Sequence, residues 1–204
     1  MRQEKQNRNT LMSGCQNVGM VFRVAFYVFA VFAALNLILG LWSAFQPADS
    51  FSVFMENGRT VSAELPGSLL GTQMLSSDYL LPSAAEHPKG VYQIAFWTSW
   101  LSGLLATAIL WRVRAVFRNI DLYETPFLPE NVHALRDIGI LAILLPLLPK
   151  ALRIILFALT GLLRDWSYNG SDFLVSLFVG AVILCLSRIF AYGCTLQRES
   201  DETI

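Results

Sequence analysis

The sequence predicts an all-α membrane protein, a four-transmembrane-helix bundle with a small extracytoplasmic β-hairpin in its first loop. Of its 204 residues, 54% are hydrophobic and only 15% are charged, whereas a soluble domain carries about 25% charged residues. The apolar residues are also gathered into four long runs. A soluble protein with four buried core helices is the alternative, but no comparable polar helical faces are present to cover such a core.

Each apolar run has the length that a membrane helix needs, because about 20 residues rising 1.5 Å each cross about 30 Å of hydrocarbon. The first run could also be a secretory signal peptide. It begins late, however, and no small-residue cleavage motif follows at Gln46–Asp49, so we interpret it as a retained span. We predict a flexible cytoplasmic tail at 1–17 and a membrane domain at 18–204, with spans at about 22–45, 91–112, 138–163 and 171–192, an extracytoplasmic loop at 46–90 and a cytoplasmic loop at 113–137.

The positive charges are distributed unequally between the two predicted sides, which sets the orientation of the chain. The N-terminal tail, the connection between spans two and three and the C-terminal end together carry ten lysines and arginines, and the opposite side carries three. This asymmetry predicts that both termini are cytoplasmic. Cys15 and Cys194 then lie on the reducing side and Cys185 lies within a span, so no disulfide is expected.

The first loop contains one hairpin signal. Two runs rich in β-branched and aromatic residues flank Asn57-Gly58, the pair best suited to a tight type I′ turn. We predict paired strands at about Phe51–Met55 and Thr60–Leu65. An isolated hairpin is marginal in water, so it should lean on the membrane surface, the span ends or a neighbouring subunit. The rest of the loop, PGSLLGTQMLSSDYLLPSAAEHPKG, is expected to be irregular, with a possible short helical turn.

The cytoplasmic connection contains a helix start. Pro129 suits the first turn of a helix, where its missing N–H costs nothing, and Glu130 complements the positive end of that helix. The helix should continue directly into the third span. Elsewhere, Gly103 in span two and Gly180 in span four are small enough to let helices approach closely, although neither forms a Gly-x-x-x-Gly motif.

The sequence contains none of the common motifs of catalysis and metal binding: no Gly-x-Ser-x-Gly, His-Glu-x-x-His, phosphate-binding glycine loop or Cys-x-x-Cys. The two histidines, His87 and His133, fall on opposite sides of the membrane in the predicted topology. We therefore expect a protein that is not an enzyme and that holds neither a metal nor a cofactor.

Two cations lie inside the third apolar run, in the stretch ILLPLLPKALRIILF. Lys150 and Arg153 are three residues apart, so they share a helix face. A central Lys or Arg costs about 2.5–3.5 kcal/mol on insertion scales, and a kink at Pro146 and Pro149 would make this tolerable. Three interpretations stay open: snorkelling toward lipid phosphates, a cationic pocket for an anionic lipid or ligand, and a subunit interface.

Two further stretches carry a family resemblance. PFLPENVHALRDIG resembles a Pro-Phe-Thr-Pro-Glu-Asn-Val-x-x-Leu-Arg-x-Ile-Gly pattern, and LQRESDETI resembles Leu-Gln-x-Glu-x-Asp-x-Thr-Ile. Both are similar to motifs of a family of small four-span bacterial membrane proteins, domain of unknown function 2975, and the resemblance covers roughly 20–204. Leu128 departs from the pattern, where Thr would supply a helix cap. The matching residues are Pro126, Phe127, Pro129, Glu130, Asn131, Leu135, Arg136 and Gly139 in the first motif, and Leu196, Gln197, Glu199, Asp201, Thr203 and Ile204 in the second.

The resemblance implies no established reaction, but it suggests a membrane partner for a small helix-turn-helix regulator. We expect a non-enzymatic regulatory or immunity-type protein of the bacterial cytoplasmic membrane. Assembly as a homo-oligomer is compatible with this expectation, and direct nucleic-acid binding is not expected. The alternative is a lipid- or small-anion-binding carrier component that uses Lys150 and Arg153. Both motifs are cytoplasmic in the predicted topology and could pack on each other, with Arg136 facing the C-terminal acids. The expected docking residues are Pro126, Phe127, Glu130, Asn131, Arg136, Gln197, Glu199 and Asp201.

Overall fold

The protein is mostly helical. The structure is a computed structural model that describes residues 2–56, 60–65, 72–76, 80, 82–123, 125–164 and 170–202. Four α-helices are present in this part of the chain, together with short 3₁₀ turns at Ala48–Ser50 and Pro82–Glu86. The helices are α1 (Arg2–Ala44), α2 (Pro88–Tyr123), α3 (Pro129–Leu159) and α4 (Gly170–Glu202), and the strands are β1 (Ser52–Glu56), β2 (Thr60–Glu64) and β3 (Thr72–Ser76).

All four helices are long and apolar enough to cross a membrane, which confirms the four predicted spans at this level. Their apolar segments are 28 to 36 residues long, with mean hydropathy between 1.5 and 2.4. Large apolar side chains cover their outer surfaces, and Phe178 is 71% exposed and Ile38 62% exposed. Apolar surface on this scale is unfavourable in water, so these faces are suited to lipid. The candidate segments are Gln16–Ala44, Pro88–Tyr123, Pro129–Leu159 and Phe173–Ser200.

The helices extend beyond the predicted spans. The backbone of α1 is helical from Arg2, within the segment for which a flexible tail is predicted. In the same way α2 continues to Tyr123 and α3 begins at Pro129, so most of the predicted loop at 113–137 is helical. The bilayer sets a minimum length for a span, and polar helix can continue past it wherever no breaker intervenes.

The sheet differs from the two-stranded hairpin that the sequence predicts. Strands β1 and β2 are antiparallel as expected, with Glu56 opposite Thr60, but β3 pairs with the other edge of β2 to give the order β1-β2-β3. The expectation of irregular chain at residues 72–76 was therefore wrong. A third strand supplies the extra pairing that an isolated hairpin lacks. The Asn57-Gly58 turn lies outside the described residues.

The sheet leans on helix ends, one of the supports predicted for it. Val61, Ala63 and Leu65 alternate along and beyond β2 on a buried face. They belong to one apolar core with side chains from the start of α2 and the end of α3. The large members contributed by the helices are Tyr92, Phe96 and Phe157, with Leu162 just after α3.

Gly161 ends α3 in a way that completes this core. Its φ of 69° lies in the left-handed region, where a residue without Cβ pays no steric penalty. The N–H of Leu162 donates to the carbonyl of Phe157 at 3.0 Å, and the N–H of Gly161 donates to that of Ala158 at 3.1 Å. This is the Schellman arrangement, and both Leu162 and Phe157 are buried in the core.

The described structure divides into two compact units. Unit 1 comprises Met1–Val31, Leu105–Leu145 and Phe173–Ile204, and unit 2 comprises Phe32–Leu104 and Pro146–Asp172. In unit 2, α1 and α2 pack closely, because a Cβ on Gly40 would lie 2.5 Å from Phe96 Cε1. A polar link joins the same helices, in which Gln93 Nε2 donates to the buried Ser43 hydroxyl at 2.9 Å.

In unit 1, α3 and α4 approach each other closely at two glycines. A Cβ on Gly180 would lie 2.8 Å from the carbonyl oxygen of Gly139 and 2.4 Å from Ile143 Cγ1. The prediction of close packing at Gly180 is confirmed, whereas at Gly103 a Cβ would meet no atom within 4 Å, so that prediction was wrong. Gly139, the partner of Gly180, belongs to the family motif.

Candidate functional site

The connection between α2 and α3 is held by one buried side chain. Asn131 has no exposed surface. Its Nδ2 donates to the carbonyl of Pro126 at 3.0 Å, and its Oδ1 accepts from Nδ2 of Asn119 at 3.0 Å. Asn131 therefore fixes the connection against both flanking helices. Because its polar atoms are occupied and buried, it positions other residues instead of touching a partner directly.

Phe127 anchors the same connection on α4. Its ring centroid lies 5.5 Å from that of Phe190. A Cβ on Gly193 would come within 2.5 Å of Phe127 Cδ1, so only glycine leaves room for the ring at this distance. Phe127 is nevertheless 39% exposed, which leaves part of the ring accessible at the surface.

Thr125, the residue that precedes the first family motif, contacts the second motif. The Thr125 hydroxyl donates to Gln197 Oε1 at 3.2 Å and accepts from the N–H of Phe127 at the same distance. Further toward the middle of α4, the buried Ser187 hydroxyl donates to the carbonyl of Val132 at 3.0 Å. We call the surface formed by residues 125–136 and 187–202 the motif platform. In these contacts the second motif is represented by Gln197, whose partner Thr125 precedes the first motif, so the expectation that the motifs pack on each other stays a prediction.

Leu128 has no side-chain acceptor, so helix α3 begins without a side-chain cap. The carbonyl of Leu128 accepts from the N–H groups of Asn131 and Val132 at 3.0 and 3.2 Å. Pro129 has no N–H to satisfy. Glu130 lies exposed in the first turn, where the helix dipole favours a negative charge.

Charged residues on the platform and next to it form ion pairs. Asp137 lies 2.9 Å from Arg112 Nη2 and 4.0 Å from Arg136 Nε. Arg198 pairs with Glu202 at 3.0 Å within α4, so Glu202 does not serve Arg136 as the sequence suggested. Glu199 is exposed, and the side chain of Asp201 lies outside the described part of the chain. Exposed pairs contribute little stability, which leaves these groups able to exchange partners.

The intramembrane cations lie in unit 2. Arg153 Nε donates to Thr98 Oγ1 at 2.8 Å, and Arg153 Nη2 donates to Ser99 Oγ at 3.2 Å. Thr98 is fully buried, whereas Lys150 and Arg153 are half-buried one helical turn apart. The two hydroxyls satisfy guanidinium donors without carrying a countercharge. They were missed at the sequence level, although Thr98-Ser99 is a polar pair in a span without charges.

The described residues contain no group of three His, Cys, Asp or Glu side chains that could hold a metal ion. His87 and His133 are both exposed.

Comparison with known proteins gives a family. No curated protein and no solved structure matches the chain. A family model matches residues 77–204, which include the connection between α2 and α3, the α3–α4 glycine contact and the C-terminal motif. This is narrower than the stretch over which the sequence resemblance was expected. Since the match covers more than half of the sequence, the chain belongs to the family described as protein of unknown function, DUF2975.

Proposed function

We propose that the chain is a non-enzymatic, regulatory or immunity-type multi-pass protein of a bacterial cytoplasmic membrane, and that its motif platform docks a cytoplasmic protein. The observation that carries the proposal is that the connection bearing the first motif is held on α4, by Thr125 at Gln197 and by Phe127 at Gly193. Residues distant in sequence are thereby held as one preorganised surface, which lowers the entropic cost of binding.

The exposed groups of the platform suit a protein partner. Glu130, Arg136 and Arg198 carry charges of both signs around the partly exposed ring of Phe127. An aromatic anchor with a charged rim is the usual composition of a binding hot spot. The family resemblance suggests a helix-turn-helix regulator as the partner, with both termini and the platform in the cytoplasm. The excess of positive residues on that side supports this orientation.

Site-specific photocrosslinking in intact cells tests the docking proposal. A benzophenone side chain replaces Arg198 on the platform in one variant and Met74, an exposed residue of β3, in the control. We expect a crosslinked DNA-binding protein from position 198 and none from position 74. The substitution Asn131→Ala should reduce that product while the chain remains in the membrane, because the connection loses its two side-chain hydrogen bonds.

Three outcomes would contradict docking: no product at position 198, a product that contains only a second copy of this chain, or equal products at both positions.

Gene neighbourhood is a second, inexpensive observation. An adjacent helix-turn-helix gene supports the docking function, and a transport operon supports the alternative that follows.

The alternative is a lipid- or small-anion-binding carrier component that uses Lys150 and Arg153. It is favoured by the hydroxyl contacts of Arg153, which hold a cation in an apolar helix about 22 Å from Ile138 at 1.5 Å per residue. Native mass spectrometry of the full chain and of a K150L/R153L variant tests it. A lower amount of co-purified lipid or anion in a folded variant than in wild type supports a site at these two cations, whereas an unchanged amount contradicts this alternative.

A further inference from the structure

A basic cavity lies between α1 and α2 in unit 1, and its lining includes neither a platform residue nor Arg153. Its volume is about 220 Å³. Three arginines line it, Arg23, Arg114 and Arg118, with the single carboxylate of Asp121. Three guanidinium groups against one carboxylate leave two positive charges in excess. Phe117 supplies an apolar wall.

The carboxylate in the cavity is engaged by a neutral side chain. Asp121 Oδ1 accepts from Gln16 Nε2 at 2.8 Å. None of the ion pairs in the described part of the chain joins Asp121 to Arg23, Arg114 or Arg118. Like charges that face one cavity repel each other, so the free energy of this arrangement falls when an anion enters.

Aromatic residues hold one of the arginines in place. Arg114 Nη2 lies 3.2 Å from the Tyr27 hydroxyl, and its guanidinium carbon lies 5.3 Å from the Phe26 ring centroid and 4.9 Å from that of Tyr27. Cation–π contacts orient a guanidinium without removing its charge. Arg23 and Arg118 are exposed, and within the described residues neither forms a hydrogen bond or an ion pair.

We propose that this cavity binds a phosphate oxyanion, either the phosphate of an anionic lipid headgroup or inorganic phosphate. Guanidinium groups bind phosphate through paired, charge-assisted hydrogen bonds, and basic pockets between membrane helices suit anionic headgroups. At about 30 Å³ per water molecule, the cavity has the volume of about seven waters, enough for a phosphate group. The proposal does not rest on the docking function.

The test uses the full chain in nanodiscs and compares wild type with an R23Q/R118Q variant. The matched control is R188Q, which removes an exposed arginine of α4 that does not line the cavity. Phosphatidylglycerol and phosphatidylcholine discs form the lipid arm, with retained lipid counted by native mass spectrometry. In the soluble arm, inorganic phosphate is added to phosphatidylcholine discs in sulfate-free buffer. The readout of this arm is thermal stabilisation of the protein.

We expect R23Q/R118Q to weaken binding about tenfold or more and R188Q to leave it unchanged, since each removed guanidinium takes away hydrogen bonds to a charged group. A loss confined to phosphatidylglycerol retention assigns the site to lipid, and a loss confined to phosphate stabilisation assigns it to the free anion. Both cavity arginines are exposed, so the variant should fold, and gel filtration checks this. Binding that is absent in both arms, or equal in all three proteins, would overturn the proposal.

Discussion

Arg153 and Thr98 are 55 positions apart in sequence, and the Nε of the arginine donates to the hydroxyl of the threonine at 2.8 Å. The hydroxyl in turn lies 2.7 Å from the carbonyl of Ile94, one turn earlier in α2. The donor on α3 is thus connected to the backbone of α2 through a buried side chain. Because lipid offers no acceptor in its place, this hydrogen bond links the two helices within unit 2.

Replacement of Thr98 by Val should destabilise the protein. Valine has the same shape but leaves Arg153 Nε without this acceptor, which should lower the free energy of unfolding by about 1–2 kcal/mol. Thermal unfolding in detergent would show a decrease of about 2–4 °C per kcal/mol. Thr98→Ser is the control and should retain the stability. In an Arg153→Met background the effect of T98V should nearly vanish, and an undiminished effect there would contradict the assigned pairing.

Gly180 and Gly103 form a matched pair for helix packing. An alanine at Gly180 places a Cβ against Gly139 and Ile143, so α3 and α4 must separate, and we expect a loss of about 1–3 kcal/mol. An alanine at Gly103 meets no atom within 4 Å and should be neutral or stabilising by about 0.5–1 kcal/mol through helix propensity. The thermal unfolding midpoints of both variants, compared with wild type, measure these changes in stability. Equal midpoints would show that the close approach carries no energy.

Gly161 should tolerate few replacements. An alanine there must adopt a φ near 69°, which costs about 1–2 kcal/mol for a residue with a Cβ. Gly161→Asn should cost less, because asparagine enters the left-handed region more readily. Chemical unfolding of both variants against wild type measures the difference. If alanine and asparagine were equally tolerated, the helix end would not depend on this conformation.

Cysteine labelling tests the proposed orientation. In a background with Cys15, Cys185 and Cys194 replaced by serine, a cysteine at Ser83 should react with a membrane-impermeant maleimide in intact cells. A cysteine at Ser200 should react only after the membrane is opened, because the positive-residue asymmetry predicts a cytoplasmic C-terminal end. Labelling of position 200 in intact cells would reverse the orientation and remove the cytoplasmic docking proposal with it.

The features of the fold that could be predicted are those determined by the sequence of a single segment. Length and hydropathy are local properties, so the four spans, the start of α3 at Pro129 and the pairing of β1 with β2 could be predicted from the sequence. Strand β3 could not, because TQMLS has little strand character of its own and is defined by the edge that β2 offers. Strand propensity depends more on tertiary context than helix propensity does.

The same distinction applies to the candidate sites. The motif residues could be selected by resemblance, but the buried role of Asn131 depends on Asn119, twelve positions earlier, and could not be predicted. Thr98 as the partner of Arg153 and the gathering of Arg23 with Arg114 and Arg118 depend on how different helices pack. Spacing along one helix contains no information about a residue on another.

The core beneath the sheet contains residues from inside and from outside the segment that matches the family. Tyr92, Phe96 and Phe157 lie inside residues 77–204, whereas Val61 and Ala63, in the same core, lie outside. Protein interiors are close-packed, so whatever covers the helix face must match its shape and volume. Evolution of the first loop is therefore constrained by the helices beneath it. Across relatives, changes in residue size at Tyr92 and Phe96 should be accompanied by compensating changes in the upstream strands.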